Sequence, residues 1–150
     1  MPHKFHFVPG GKGDLQPVIL ETLRRMKTRF GVYGLKLSTE DAAMSLDQIA
    51  YWNRLCYGVL PVVVKIGGPN ARNDIREMMK LNVQGMIAPM VESAFGLENY
   101  IEALRDYTTP LRFQALEKHI NIETVTAVDQ LDAILDSPSA EHIDEITIGR

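Results

Sequence analysis

Asn121 and Glu123 stand one residue apart in the run HINIE (119–123), so on an extended chain both side chains leave the same side. A carboxylate beside a carboxamide can hold a hard divalent cation and a substrate oxygen respectively. Glu123 has a second use open to it, as a cap for the helix that Thr124 and Thr126 begin. Two lysines close apolar runs, Lys36 in the first and Lys65 in LPVVVKI (60–66). A lysine at the end of a strand in a crowded mouth can bind an anion or, with a depressed pKa, act as base or Schiff-base nucleophile. Glu40 and Glu92 lie just beyond strand ends, where they can serve as ion-pair partners for the two lysines. Arg150 closes ITIGR (146–150). The turn Gly67-Gly68-Pro69-Asn70 leads from strand to helix, but it is neither a GxGxxG nor a P-loop, so ordinary turn chemistry outweighs anion binding.

These residues need elements to hold them. Ile19, Leu23, Met26 and Phe30 recur at helical spacing, followed by a short apolar run, Val32 to Leu37, that reads as a strand. The same alternation repeats. A helix over Ser45 to Tyr57 leads into the strand Leu60 to Ile66. A helix capped by Asn70, with Ile75, Met78 and Met79 inward, leads into Gly85 to Met90. A helix marked by Leu97, Tyr100, Ile101 and Leu104 precedes His119 to Glu123. A helix opened by a capping box at Thr126 and Asp129 precedes Ile143 to Ile148. Strand starts near 32, 60, 85, 119 and 143 give a period of roughly 25 to 35 residues, the size of one βα unit. No strand alternates cleanly, as expected of a parallel sheet covered on both faces. Every strand delivers an ionisable residue at or just past its C-terminal end, and such ends converge on one mouth in a (β/α) barrel. That convergence favours a partial (β/α)8 TIM barrel over a doubly wound sheet with its ligand at a switch point.

Composition narrows the partners. The chain has 150 residues, 45% of them hydrophobic and 23% charged, which describes one globular domain. A complete eight-fold barrel needs about 250 residues. With 16 Lys+Arg against 19 Asp+Glu and a net charge of -3, there is no basic footprint for nucleic acid. No apolar run reaches the ~18 residues of a membrane span, and no export signal opens the chain, so the cytoplasm is the expected compartment. Residues 1–14 read as an irregular leader ahead of a domain over 15–150, and His3 and His6 there make only a weak metal tract. The single cysteine, Cys56, reads as a small buried hydrophobe, Met78 and Met79 as packing, and His119 as a packed histidine. No supported Ser/His/Asp or Cys/His arrangement indicates a nucleophilic hydrolase.

Three segments together carry a more specific likeness. The run VKIGGPNARNDIREMMKLNVQGMIAPMVESA (64–94), the strand NIET (121–124) with its helix, and ITIGR (146–150) resemble the HpcH/HpaI aldolase and citrate lyase β-subunit family. The resemblance implies a barrel of the phosphoenolpyruvate/pyruvate superfamily. It implies carbon-carbon bond cleavage or formation next to an oxo acid or acyl thioester, with Mg²⁺ or Mn²⁺ stabilising an enolate. It places Glu123 as metal ligand and Asn121, Glu92 and Glu40 toward substrate. Lys65 and Arg150 become the cations that neutralise the oxo acid, Lys65 standing where many members carry arginine, while Lys36, the third catalytic candidate, with Glu40 resembles a subgroup of the family that carries a Lys and acidic residues at that turn.

Two departures accompany the likeness. Ser38 to Met44 holds no histidine where the aldolases carry a base, and the chain reaches Arg150 without the family's second metal carboxylate. The alternative reading is a non-catalytic oxo-acid-binding or assembly module of the same fold. An unclosed barrel also leaves strand edges, which predicts a homo-oligomer.

Overall fold

A computed structural model describes residues 15–149; the expected leader (1–14), with His3 and His6, and Arg150 lie outside the described residues. Five strands form one sheet: β1 (Leu35–Ser38), β2 (Val62–Lys65), β3 (Gly85–Ala88), β4 (Glu117–Ile122) and β5 (Glu145–Ile148). They lie in the order β1-β2-β3-β4-β5, and every neighbouring pair is parallel. A doubly wound sheet reverses its order at the switch point, whereas a barrel keeps sequential neighbours side by side. The strand order therefore decides for a barrel arrangement, of which the described residues hold five successive strands.

Helices bury one face of this sheet. Val62, Val64, Met86, Ala88, Ile120 and Ile122 form a single core with residues of α2 (Leu46–Cys56), α3 (Arg72–Leu81), α4 (Ala94–Asp106) and α7 (Leu131–Leu135). The expected α4 stripe of Leu97, Tyr100, Ile101 and Leu104 is fully buried, and the Tyr100 hydroxyl donates to the Met86 carbonyl at 2.9 Å. Cys56, Ile75 and Met78 join the same core, and Met79 packs at its margin. α1 (Gln16–Phe30) keeps its expected spacing but buries no residue fully; Lys27 Nζ tethers it to the Val59 carbonyl at 2.7 Å.

The opposite face mixes apolar residues, Val63 and Ile87, with polar ones that gather toward the strand ends. Register sets Ser38, Lys65, Ile87, His119 and Glu145 in one row, with Asn121 and Thr147 in the next row toward the strand ends. β2, β3 and β4 are buried on both faces, as expected of a covered parallel sheet, but β4 and β5 alternate in residue type. In β4 the sequence His119-Ile120-Asn121-Ile122, and in β5 Glu145-Ile146-Thr147-Ile148, put polar groups on the inner face and isoleucines on the helix-facing side. The inner surface of a barrel's mouth is where substrate chemistry sits, so polarity there answers to the site rather than to the core.

Three boundaries also move. β1 runs to Ser38, so Lys36 lies within the strand and not at its end. Asn70 does not cap α3: the cap position is Ala71, without a side-chain bond, and Asn70 Oδ1 instead accepts from Arg72 Nε at 3.1 Å. The helix expected to open at Thr126 opens at Thr124, whose hydroxyl accepts the Ala127 amide at 3.0 Å, and it breaks at Gln130 into α6 (Val125–Asp129) and α7. Thr124 wins because a cap needs extended backbone one residue before the first helical turn, and β4 delivers it in that state. A short helix the spacing did not reveal, α5 (Pro110–Ala115), is capped by Thr109.

Candidate functional site

The C-terminal ends of β1, β2, β3 and β4 carry the groups that converge. Lys65, the last residue of β2, is only 7% exposed. Its ammonium lies 2.7 Å from Glu40 Oε2, 3.5 Å from Asp41 Oδ2 and 3.6 Å from Glu123 Oε1. The close contact with Glu40 raises the lysine pKa, burial opposes it, and the charges of Glu123, Asp41 and Glu40 raise it further. A lysine held above its ordinary value keeps its proton at neutral pH and has no lone pair with which to attack a carbonyl. Of the roles open to Lys65 in the sequence, the geometry favours anion binding over Schiff-base chemistry.

The loop after β1 is folded so as to present its carboxylates. The Ser38 hydroxyl accepts the amides of Glu40 and Asp41, both at 3.1 Å, and the Thr39 amide donates to the Lys65 carbonyl at 3.0 Å. Asp74 on α3 ties this loop to the next: its Oδ2 accepts from the Thr39 hydroxyl at 2.7 Å and from the Gly67 amide at 2.9 Å. The glycine turn after β2 thus spends its first amide on the protein's own carboxylate, in keeping with ordinary turn chemistry.

Glu123 stands just beyond β4. Its Oε1 accepts from Asn121 Nδ2 at 2.9 Å and its Oε2 from the Met90 amide at 3.1 Å. Met90 reaches this position with a left-handed backbone, φ 51°, unusual for a residue with a side chain and common where a site dictates the local geometry. Gly149 closes the other side, since a Cβ there would stand 2.7 Å from Glu123 Cγ. Asn121 is 2% exposed, and its Oδ1, like Glu40 Oε2 across the cluster, is buried without a hydrogen-bond partner. A buried amide oxygen left unpaired is costly, which marks it as a position where a bound group can complete the site. Each Glu123 oxygen keeps lone-pair capacity beyond the bond it accepts, so Glu123 with Asn121 Oδ1 can hold a cation that takes most of its shell from water and substrate. Among the described residues, no cluster of three or more His, Cys, Asp or Glu is placed to hold a metal.

The structure thus joins Lys65, Glu40, Asn121 and Glu123. It leaves Glu92 at the rim, exposed, accepting from the Thr124 hydroxyl at 2.7 Å and pairing with neither lysine. Lys36 is exposed and paired in register with Val63, one row below the Ser38–Lys65 pair. It does not reach the cluster, because side chains on one face recur every second residue and Ser38 holds the strand-end position. Arg150 lies outside the described residues. Asp41, Met90 and Gly149 also belong to the site. The adjacency of Glu40 and Asp41 was a visible signal for the first, whereas the backbone roles of the other two leave no trace in residue type.

No family model matches the sequence, and no curated protein matches it either. Solved structures do match. Citrate synthase SbnG superposes with a TM-score of 0.72 at 18% identity, over 89% of this chain and 56% of that one. An HpcH/HpaI aldolase from Desulfitobacterium hafniense DCB-2 gives 0.67 at 18%, over 87% and 57%. An HpcH/HpaI aldolase/citrate lyase family protein from Burkholderia cenocepacia J2315 gives 0.66 at 12%, over 87% and 58%. The chain shares the fold of these enzymes. It spans rather more than half the length of each, and five sequential parallel strands are the part of the barrel it carries.

Proposed function

We propose that the chain carries part of the active site of a carbon-carbon lyase of the HpcH/HpaI aldolase and citrate lyase type, acting on a 2-oxo acid or acyl thioester through an enolate. The observation that carries this reading is the buried Lys65 ammonium beside Glu123 and the unpartnered Asn121 Oδ1, at the strand ends of an aldolase-type barrel.

Cleavage of a bond next to an oxo acid sends the bonding electron pair into an enolate, whose oxygen must be stabilised where water is scarce. Lys65 supplies a fixed positive charge of that kind and stays protonated. Asn121 orients Glu123 through its amide and offers Oδ1 to a bound group. Mg²⁺ or Mn²⁺, when bound, would supply Lewis-acid polarisation of the oxo group, and Glu123 with Asn121 Oδ1 would hold it. The Met90 amide keeps Glu123 turned toward the mouth.

The test is exchange of the pyruvate methyl protons in D₂O with Mg²⁺ present, followed by NMR. Exchange above the protein-free rate, abolished by EDTA and by Glu123→Gln, is expected; absence of exchange with pyruvate, oxaloacetate and an acyl thioester would overturn the catalytic reading. One observation favours a second reading, an oxo-acid-binding module: the β1–α2 loop (39–45) has no histidine, and its carboxylates are already engaged with Lys65. Pyruvate binding that persists in EDTA without any exchange would select it.

A further inference from the structure

Three carboxylates surround one ammonium at the mouth, Glu40, Asp41 and Glu123 about Lys65. Three negative charges against one positive leave a surplus of two, which a divalent cation would complement. The ammonium is the natural competitor for that cation, because it already lies against the carboxylate that would take it. Its placement is uneven, however. Lys65 Nζ is 2.7 Å from Glu40 but 3.6 Å from Glu123, beyond hydrogen-bond reach, and the Glu123 oxygen it faces already accepts one bond from the Asn121 amide.

We propose that Glu40 is a positioning residue that holds the Lys65 ammonium off Glu123 and so keeps Glu123 free to take a divalent cation. This rests on the reading above that Glu123 receives one. The arrangement is built to hold Glu40 in place. Ser38 fixes the amides of Glu40 and Asp41, the Met44 amide returns to the Ser38 carbonyl at 3.1 Å, and Thr39 pins the loop to β2 and α3. Asp41 cannot substitute for Glu40, since it lies farther from the ammonium and its side chain is 57% exposed, where water screens it. Without Glu40, the ammonium's less exposed remaining partner is Glu123, and a movement of about one ångström would bring it into a hydrogen bond there. The lysine would then occupy the cation's place. Glu40 therefore acts on cation binding through Lys65 and not as a ligand.

The experiment is a double-mutant cycle with Mn²⁺ alone, titrated calorimetrically into the wild-type chain, Glu40→Gln, Lys65→Met and the double variant, each checked for native circular dichroism. Glu40→Gln is expected to weaken Mn²⁺ binding about tenfold or more, the range of other residues that orient a metal ligand. Lys65→Met is expected to tighten it. The double variant is expected to bind within about threefold of Lys65→Met, because the effect of Glu40 passes through the lysine. Equal weakening by Glu40→Gln with and without Lys65 would overturn the proposal, as would a Lys65→Met protein that binds no more tightly than wild type. Mn²⁺ binding that is present but indifferent to Lys65 leaves the reading of Glu123 intact and removes only the role of Glu40. Absence of binding in all four proteins removes both. Lys65→Gln serves the same comparison if Lys65→Met does not fold.

Discussion

Lys65 shows how burial and charge combine at one residue. Its ammonium is almost fully removed from water yet remains charged, because three carboxylates outweigh the cost of desolvation. Removing it leaves those carboxylates facing one another. Lys65→Met should therefore lower stability by roughly 2–4 kcal/mol, less than for a fully buried pair because Asp41 is exposed; urea unfolding at neutral pH measures this. The pH dependence has two sides. The raised Lys65 pKa contributes stability that is complete below its unfolded value near 10.4 and is lost as pH rises through the native value. Asp41 is shifted down, chiefly by the Ser38 hydroxyl and further by the Lys65 charge and the Ala42 amide. Its contribution is present above about pH 3.9 and lost as pH falls through the lowered native value. The stability difference between wild type and Asp41→Asn should thus be flat from about pH 5 to 9 and shrink below about pH 4. A difference that changes between pH 5 and 9 would show that another group controls it.

The elements decide whether these residues meet. α4 begins with Ser93, whose hydroxyl accepts the Gly96 amide at 3.1 Å, and its buried stripe anchors the helix behind β3. Ser93→Ala should cost about 1 kcal/mol, the usual loss at such a cap, read as a lower urea midpoint with unchanged slope. β5 acts on the site through its backbone: Gly149 lies so close to Glu123 that a methyl group must push the carboxylate aside. Gly149→Ala should weaken Mn²⁺ binding and pyruvate proton exchange well before it affects the melting temperature. Equal exchange rates with a lowered melting temperature would place its effect in folding instead.

At the scale of the whole molecule, β1 and β5 are the outer strands of the described sheet, each with one neighbour. Ile148 is 81% exposed on the helix-facing side of β5, and with Ile122, Val125 and Val128 it lines an open, largely apolar groove of about 520 Å³. Exposed β-branched residues in an open apolar groove promote association. The 150-residue chain should self-associate with increasing concentration in sedimentation, and Ile148→Lys should reduce that association. A concentration-independent monomer for the wild-type chain would contradict this.

Periodicity carried most of the fold, because each βα unit is built from local signals: an apolar strand, a turn and an amphipathic helix such as α4. The strand-end residues Lys65, Asn121 and Glu123 were legible for the same reason, since position on a short strand follows from counting. Counting fails where a boundary moves by one or two residues: the apolar run points to Lys36 as the strand end, and Ser38 occupies it. Asn70 does not cap α3 because the cap position falls one residue later, at Ala71, and Asp74 rather than Asn70 bonds the turn before it. What residue types could not decide was which groups face each other across the mouth. The choice of Glu40 over Glu92 as partner of Lys65, the amide of Met90 on Glu123 and the close approach of Gly149 depend on how neighbouring strands align in register. That alignment is set by packing among residues far apart in the chain, and only the tertiary structure contains it.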